Sequence, residues 1–471
     1  MTAARSPGRR LSRSTGGWRA AAPVKLVHMG LGNFYRAHQA WYTDRVPDAE
    51  QWGYAAFTGR STRLAESLEA QNGLYTLITR AADADRYQVI ASISRAHAGT
   101  DHDAWLRYLA SPDVHAVTIT VTEAGYVRGD HGGLDRDRPQ VRADVAALRG
   151  DIRAPVATTP ARLVSGCAAR RAADAGPLAV VSCDNLPGNG AVARQVVRDL
   201  AELVDPTLAA WIDSSVSFVT TVVDRITPRT TPEDLDAVLA STGVADANPV
   251  GTEPFAEWVL SGDFPAGLPR WEAADATFID DIEPYEQRKL WLLNGAHSLL
   301  AYTGLLRGHR TVTEAVTDDT CRHWMRQWWS DASRHLPLRR DAIAAYESAL
   351  LDRFANPRMH HRLDQIATDG SQKLPVRILP VLRMERAAKR LPLGAARTLG
   401  GWVCYLRGAA GAVADIHAGD LAALADGPLP AAVPRVLDAL DSELADDKEL
   451  LAAVRADAEE LLAAGPTPSR S

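Results

Sequence analysis

The chain has 471 residues, more than one hydrophobic core ordinarily serves, so at least two domains are expected. It is 46% hydrophobic and 23% charged with a formal net charge of -6, a balance that speaks against nucleic acid as its main partner. No apolar run reaches transmembrane length, and Cys167, Cys183, Cys321 and Cys404 are too scattered for a zinc site or a disulfide framework. They read as reduced thiols of a cytoplasmic protein.

Residues 1–23 are basic, with Arg5, Arg9, Arg10, Arg13 and Arg19 and no acid. They lack the apolar stretch of a secretory signal and are expected to form a disordered extension outside the fold. The first apolar run, VKLVHM, begins at Val24 and is followed by GLGNFYRAHQAWYTD, a glycine turn leading into a helical pattern. Gly30 and Gly32 are the first two glycines of a GxGxxG pattern. One allows the tight turn; the other lets a pyrophosphate approach the backbone near a helix N-terminus. Tyr35 stands where the third glycine belongs, and Ala37 is expected to supply the close helix–strand packing instead. A structural turn reads the same way, but the position at the first strand–helix junction favours a dinucleotide. Phe34, on the same turn, is counted with the cofactor-binding residues.

WGYAAFTG, residues 52–59, reads as the second strand. It ends in FTGRSTR, with no acid before Glu66 to hold a ribose 2′-hydroxyl. Arg60 and Ser61 suit a 2′-phosphate, and equally a solvated loop. NAD and NADP both stay open, with a lean towards NADP compatibility. YQVIASISRA, VHAVTITVT, PLAVVSCD and SVSFVTTVVD follow as strand-like runs, most of them separated by helical stretches such as ARQVVRDLAELV. This alternation predicts an α/β Rossmann-type domain over 24–280. Glu123, in TVTEAGY, also ends a strand and could line a nicotinamide pocket, or simply face solvent. Asn185 lies after PLAVVSCD, at a strand C-terminal end where open α/β sheets bind ligands, and by itself reads as a turn residue. From about residue 281 to 465 helical patterns dominate, predicting an all-α second domain that binds substrate.

In that domain, KLWLLNGAHSLLAY sets an amine, an amide and an imidazole in an apolar helix. At about 100° per residue and with Lys289 at 0°, Glu286 falls at about 60°, His297 at about 80° and Asn294 at about 140°. A wet helix face would explain the arc, but LWLL and SLLAY leave little exposed surface. Oxidising a secondary alcohol needs a base for the hydroxyl proton, and a buried lysine with a lowered pKa suits that task. Amide donors suit a developing alkoxide. No Cys/His/Glu spacing supports a catalytic zinc, so a metal-independent mechanism is expected.

GLGNFYRAHQAWYTD, NGLYTL, TVTEAGY, SCDNLPGNG, VDRITPRTT, EPFAEWV and the spacing Lys289-x4-Asn294-x2-His297 together resemble the mannitol dehydrogenase family of polyol-specific dehydrogenases. The resemblance spans roughly 24–400. It implies a Rossmann-type domain, a helical domain and metal-independent, NAD(P)-linked chemistry on polyols or sugar acids. It also assigns roles: Lys289 as base, Asn185 and Asn294 on the alkoxide, His297 on the substrate, Glu286 and Asp224 lining the substrate cleft. Trp291, Ala296 and Glu257 depart from the family's usual residues. ATDGSQKLPVR resembles the branch that includes fructuronate reductases; Lys373 and Arg377 there could receive a carboxylate, or form a surface basic pair. D-mannonate/D-fructuronate is the leading substrate pair, with D-mannitol/D-fructose, arabinitol or mannitol 1-phosphate as alternatives. A non-catalytic dinucleotide sensor is the alternative of another class. The expected assembly is a monomer or small homo-oligomer with a small-molecule substrate and neither nucleic acid nor membrane.

Overall fold

The computed structural model describes residues 9–465 apart from 60, 130 and 360. It divides into two compact units, one ending at Ile282 and the other starting at Glu283. The first is built on an eight-stranded sheet. In chain order its strands are β1 (Val24–Met29), β2 (Gly53–Phe57), β3 (Ile93–His97), β4 (Ala116–Ile119), β5 (Leu178–Ser182), β6 (Val216–Asp224), β7 (Glu257–Ser261) and β8 (Thr277–Phe278). Their spatial order is β8-β7-β6-β5-β4-β1-β2-β3. Strands β1 to β6 run parallel, β7 is antiparallel to β6, and β8 is parallel to β7.

These strands read as unbroken apolar runs because both faces of the sheet are covered. Alternate residues enter opposite cores. Val27, Ala55 and Val180 join one cluster; Leu26, Tyr54 and Ala179 join the other. The chain order reverses at β1: β2 and β3 lie on one side, β4 and β5 on the other. The loops after β1, β4 and β5 therefore diverge at one end of the sheet, where such folds open a crevice.

Two expectations need correction in this unit. YQVIASISRA is not one strand. Asp85–Ile90 pairs antiparallel with Tyr75–Arg80 in a separate sheet, and only Ile93–His97 joins the main one. The turn between them carries no Gly or Pro. It is held by side chains: the Ala91 amide donates to Asp44 Oδ1 (2.9 Å) and Ser92 Oγ to the Ala40 carbonyl (2.7 Å). Nor is the basic extension disordered from Arg9 onwards. Leu11 is fully buried beside Leu74 and Ala91, and Arg13 donates to the carbonyls of Asn72, Ala91 and Ile93 at 2.8–2.9 Å. Arg13 is matched to backbone oxygens, which composition cannot show.

In the second unit every labelled element is a helix. A run from Glu283 to Leu306 is continuous: α-helical at Glu283–Arg288, π-helical at Lys289–Gly295, and α-helical again at Ala296–Leu306. Around it lie α1 (Asp319–Ser333), α2 (Arg340–Phe354), α3 (Gly370–Arg377), α4 (Leu379–Ala387), α5 (Leu393–Leu406) and α6 (Lys448–Ala464). Trp328 and Trp402 are fully buried in this unit. Among the described residues no helix is long and apolar enough to cross a membrane. All four cysteines are buried and unpaired.

One carboxylate ties α4 to the end of α1. Glu385 is fully buried and accepts from Arg390 at 2.8 Å, Arg334 at 2.9 Å and His335 at 2.5 Å. The hydrogen bonds from Arg390, opposed by burial and joined by those from Arg334 and His335, hold its carboxyl well below the usual range. A depressed carboxyl stabilises the fold above its unfolded value, about 4.3, and loses that contribution as pH falls below it. Glu385→Gln is expected to cost about 2–3 kcal/mol at pH 7, under the range for a fully buried pair because the arginines are partly exposed. The deficit should shrink between pH 4.5 and pH 3. Urea titrations of both proteins across that range check it; a pH-independent deficit rules the ionic account out.

Candidate functional site

A cleft of about 430 Å³ opens where the sheet order reverses. It is lined by Gly30, Gly32, Asn33 and Phe34 after β1, by Thr120 to Glu123 after β4, and by Cys183 to Leu186 after β5. The two glycines do different work. Gly30 has φ +112°, and a Cβ there would collide with the Thr120 backbone. A Cβ on Gly32 would meet nothing nearer than the Gly30 carbonyl at 3.5 Å, so this residue leaves cleft space open. That cradle fits the phosphate end of a dinucleotide.

The missing third glycine has a physical explanation. Tyr35 is fully buried and lies flat on the His28 ring of β1, centroids 3.5 Å apart and planes 9° apart. The helix–strand gap is filled by stacked rings rather than closed by a glycine. Ala37 is fully buried too, and its carbonyl accepts from Arg225 Nη1 at 2.5 Å.

Asn185 lies on the loop after β5, and that loop is clamped from both sides. Asn189 is fully buried: its Nδ2 donates to the carbonyls of Asp184 (3.1 Å) and Thr221 (2.9 Å), and its Oδ1 accepts from the Thr221 amide (2.9 Å). Asp184 accepts from the Leu186 amide at 3.1 Å and from the Tyr126 hydroxyl. Burial, with the Asp184 charge beside it, keeps the Tyr126 phenol protonated, raised far above its ordinary range. Neither clamp residue stood out in the sequence, although Asn189 belongs to the quoted CDNLPGNG run.

Of the other expected cofactor residues, Phe34 and Glu123 line the cleft; Glu123 is exposed on a short 3-10 turn. Ser61 is exposed beyond β2 and does not line it, and Arg60 lies outside the described residues. Asp224 ends β6, is buried, and stands opposite Glu257 in the register with β7.

In the second unit the π turn changes the expected geometry. Its i→i+5 pattern widens the turn, so Lys289 and Asn294 come nearer to one face than the about 140° of an α-helix. Both are partly buried, as is Glu286 on the preceding α-helical turn, while Trp291, Leu292 and Leu293 face the core. A widened turn displaces backbone hydrogen bonds. The Ala296 amide bonds the Leu293 carbonyl, three residues back, so it does not serve Leu292. Trp329 Nε1 donates to the Leu292 carbonyl instead, and Trp328 Nε1 to that of Trp291, each at 2.8 Å. Both tryptophans are buried in the core, and they also hold the π turn. Gly295 makes room, since a Cβ there would collide with the Trp328 indole.

His297 follows on the next turn, 8% exposed, with its ring against Phe354 (4.8 Å) and His361 (4.9 Å). Burial, reinforced by His361, Arg353 and Arg377, pushes its pKa well below the ordinary value, so the imidazole is neutral. Arg377 Nη1 reaches Ser298 Oγ at 3.3 Å. Lys373 differs from the expectation of a carboxylate receiver. Its ammonium donates to Ile366 O (3.3 Å), Thr368 O (2.6 Å) and Thr368 Oγ1 (3.0 Å), which uses all three of its protons on the backward turn of the chain.

Among the described residues, His309, Asp318 and Cys321 bring potential metal-ligand atoms together. Asp318 Oδ2 already accepts from Arg307 and His309 at 2.9 Å, and Oδ1 caps α1 through the amides of Thr320 and Cys321. A guanidinium in that position makes it an ion-pair node rather than a cation site.

Trp329→Phe should keep the packing but leave the Leu292 carbonyl without its indole donor, costing about 1–3 kcal/mol. It should also lower kcat while leaving the KM for a dinucleotide unchanged, because the register of Lys289 and Asn294 loosens. Denaturant titration and steady-state kinetics check this; a stability loss with unchanged kcat would separate the π turn from catalysis.

Two family models match the chain: the mannitol dehydrogenase Rossmann domain over residues 24–273 and the mannitol dehydrogenase C-terminal domain over residues 281–462. A D-mannonate oxidoreductase of Escherichia coli (strain K12) is 37% identical over 403 residues, covering 82% of this chain and 80% of the relative. Among solved structures, a D-sorbitol dehydrogenase in substrate-free form superposes with a TM-score of 0.86 at 28% identity, covering 95% of this chain and 96% of that one. The Pseudomonas fluorescens mannitol 2-dehydrogenase, solved as a ternary complex with NAD and D-mannitol, gives 0.77 at 32% identity, covering 97% and 94%.

Proposed function

The chain belongs to the mannitol dehydrogenase family, and we propose that it interconverts a secondary alcohol of a sugar acid or polyol with the corresponding ketone, using NAD or NADP. The observation that supports the catalytic part is the π turn, whose wider spacing brings Lys289 and Asn294 towards one face, with His297 on the next turn. In this reading the N-terminal unit binds the dinucleotide and the C-terminal unit the substrate.

Gly30, Gly32, Phe34 and Glu123 would hold the cofactor, as lining residues of a cleft at the switch point. A bound nicotinamide supplies the hydride acceptor. NAD is supported by the Pseudomonas fluorescens complex; Arg60 and Ser61 favour NADP compatibility. Lys289 takes the hydroxyl proton of the substrate. The Asn294 amide, one π turn on, donates to the developing alkoxide, and the family assigns Asn185 the same kind of donor. The clamp formed by Asn189 and Asp184 orients the loop that carries Asn185. His297, neutral at physiological pH, hydrogen-bonds a substrate oxygen. Glu286 and Asp224 are polar positions of the substrate cleft.

D-mannonate/D-fructuronate leads as the substrate pair. The Escherichia coli relative supports it, as does Arg377, whose side chain lies over the helix that carries His297. D-mannitol/D-fructose is the second reading, favoured by the D-mannitol in the Pseudomonas fluorescens complex. The reaction is proposed to need no metal and to run in the cytoplasm.

The test is a substrate panel of D-fructuronate, D-fructose and other ketoses with NADH and NADPH. The enzyme should stay active in EDTA, and Lys289→Ala should lose about 10²–10⁴-fold in kcat/KM. Loss of activity in EDTA overturns the metal-free mechanism. Full activity of Lys289→Ala overturns the assignment of the base.

A further inference from the structure

The helical unit holds a second imidazole beside His297. His361 lies just before the short helix Leu363–Ile366, and its carbonyl accepts from the Val312 amide at 2.9 Å, which fixes the backbone there. Its ring meets the His297 ring nearly edge-on, centroids 4.9 Å apart and planes 81° apart. Each ring keeps a buried nitrogen with no hydrogen-bond partner: Nε2 of His297 and Nδ1 of His361. Other buried polar atoms of the chain also lack a partner, but these two nitrogens belong to adjoining rings, an arrangement suited to one ligand that partners both.

The charges acting on these rings share one sign. Arg353 acts on both, and Arg377 acts on His297 as well. Arg353 is 7% exposed, at the end of the helix whose Phe354 packs against His297. Both imidazoles are neutral, because burial and the neighbouring guanidinium disfavour a further positive charge. Two neutral imidazoles that can donate or accept, with the Arg377 guanidinium beside the helix of His297, are suited to an oxygen-rich anion.

We propose that His361 is a substrate-positioning residue that, with His297 and Arg377, receives the carboxylate end of an acyclic sugar acid. The inference rests on the reading of His297 as a substrate contact and narrows the substrate class from polyols at large to polyols bearing a carboxylate. His361 takes no part in the chemistry. It donates one hydrogen bond to the carboxylate, while Arg377 supplies the charge. A hexitol of the same chain length lacks that charge and gains less from the pocket.

The experiment compares the full-length wild type, His361→Asn and His361→Phe. D-mannonate and D-mannitol are titrated calorimetrically into the NAD-loaded protein, and steady-state kinetics are run with both; thermal melts confirm folding. His361→Phe is expected to weaken D-mannonate binding and raise its KM by about 10–100-fold, the effect of one hydrogen bond to a charged group. D-mannitol should be affected less, with kcat and the KM for NAD within about threefold of wild type. His361→Asn, which keeps a donor, should recover part of the loss. Unchanged D-mannonate affinity in a folded His361→Phe overturns the proposal. So does an equal loss for D-mannonate and D-mannitol, or a fall in kcat with no change in KM. A wild type that binds D-mannonate without turning it over would instead overturn the oxidoreductase reading, and the affinities of the variants would still decide the role of His361.

Discussion

The π turn of the helical unit depends on two indole hydrogen bonds. A π turn is costly because its widened ring displaces backbone partners, and here the Ala296 amide serves Leu293 rather than Leu292. Trp329 and Trp328 supply donors to the Leu292 and Trp291 carbonyls from a neighbouring helix. The π turn is thus a property of the packed domain and not of the helix alone. In return, residues five apart come nearer to one face than in an α-helix.

The dinucleotide-type cleft follows a different rule. Its position comes from strand order, since loops diverge where the sequence of strands reverses. Its shape comes from glycine placement and from a loop held by buried polar groups. Asn189 gives Thr221 two hydrogen bonds and Asp184 a third, so the loop after β5 is tied to β6 by a side chain. A buried amide with its partners satisfied rigidifies the backbone around it. The flat stack of Tyr35 on His28 achieves, with rings, a close helix–strand contact that other dinucleotide folds obtain with a glycine.

Charge is handled unevenly across the helical unit. Glu385 gathers three basic side chains and Asp318 two, so each node is compensated within the fold. Lys373 spends its protons on carbonyl and hydroxyl oxygens of its own neighbourhood. Around His297 the acting charges are basic throughout.

Much of the fold was legible in the residues. The strand VKLVHM runs over the residues expected, and SVSFVTTVVD begins one residue later, at Val216. Periodicity is local, so local reading found them. YQVIASISRA misled because its turn is held by Asp44 and Ser92 rather than by Gly or Pro, and the basic N-terminal stretch misled because Arg13 binds distant carbonyls and Arg19 pairs with Asp44. The sequence by itself determined which chemical groups are present and which short elements carry them: the Gly30 turn, Asn185 after a strand, and Lys289, Asn294 and His297 in one helix. Only the tertiary structure decided their geometry. Hydrogen bonds between residues far apart in the chain turned an α-helical arc into a π turn, clamped the Asn185 loop, committed Lys373 elsewhere and brought His361 to His297. Such contacts leave no period in the sequence, because each joins residues whose separation no local rule encodes.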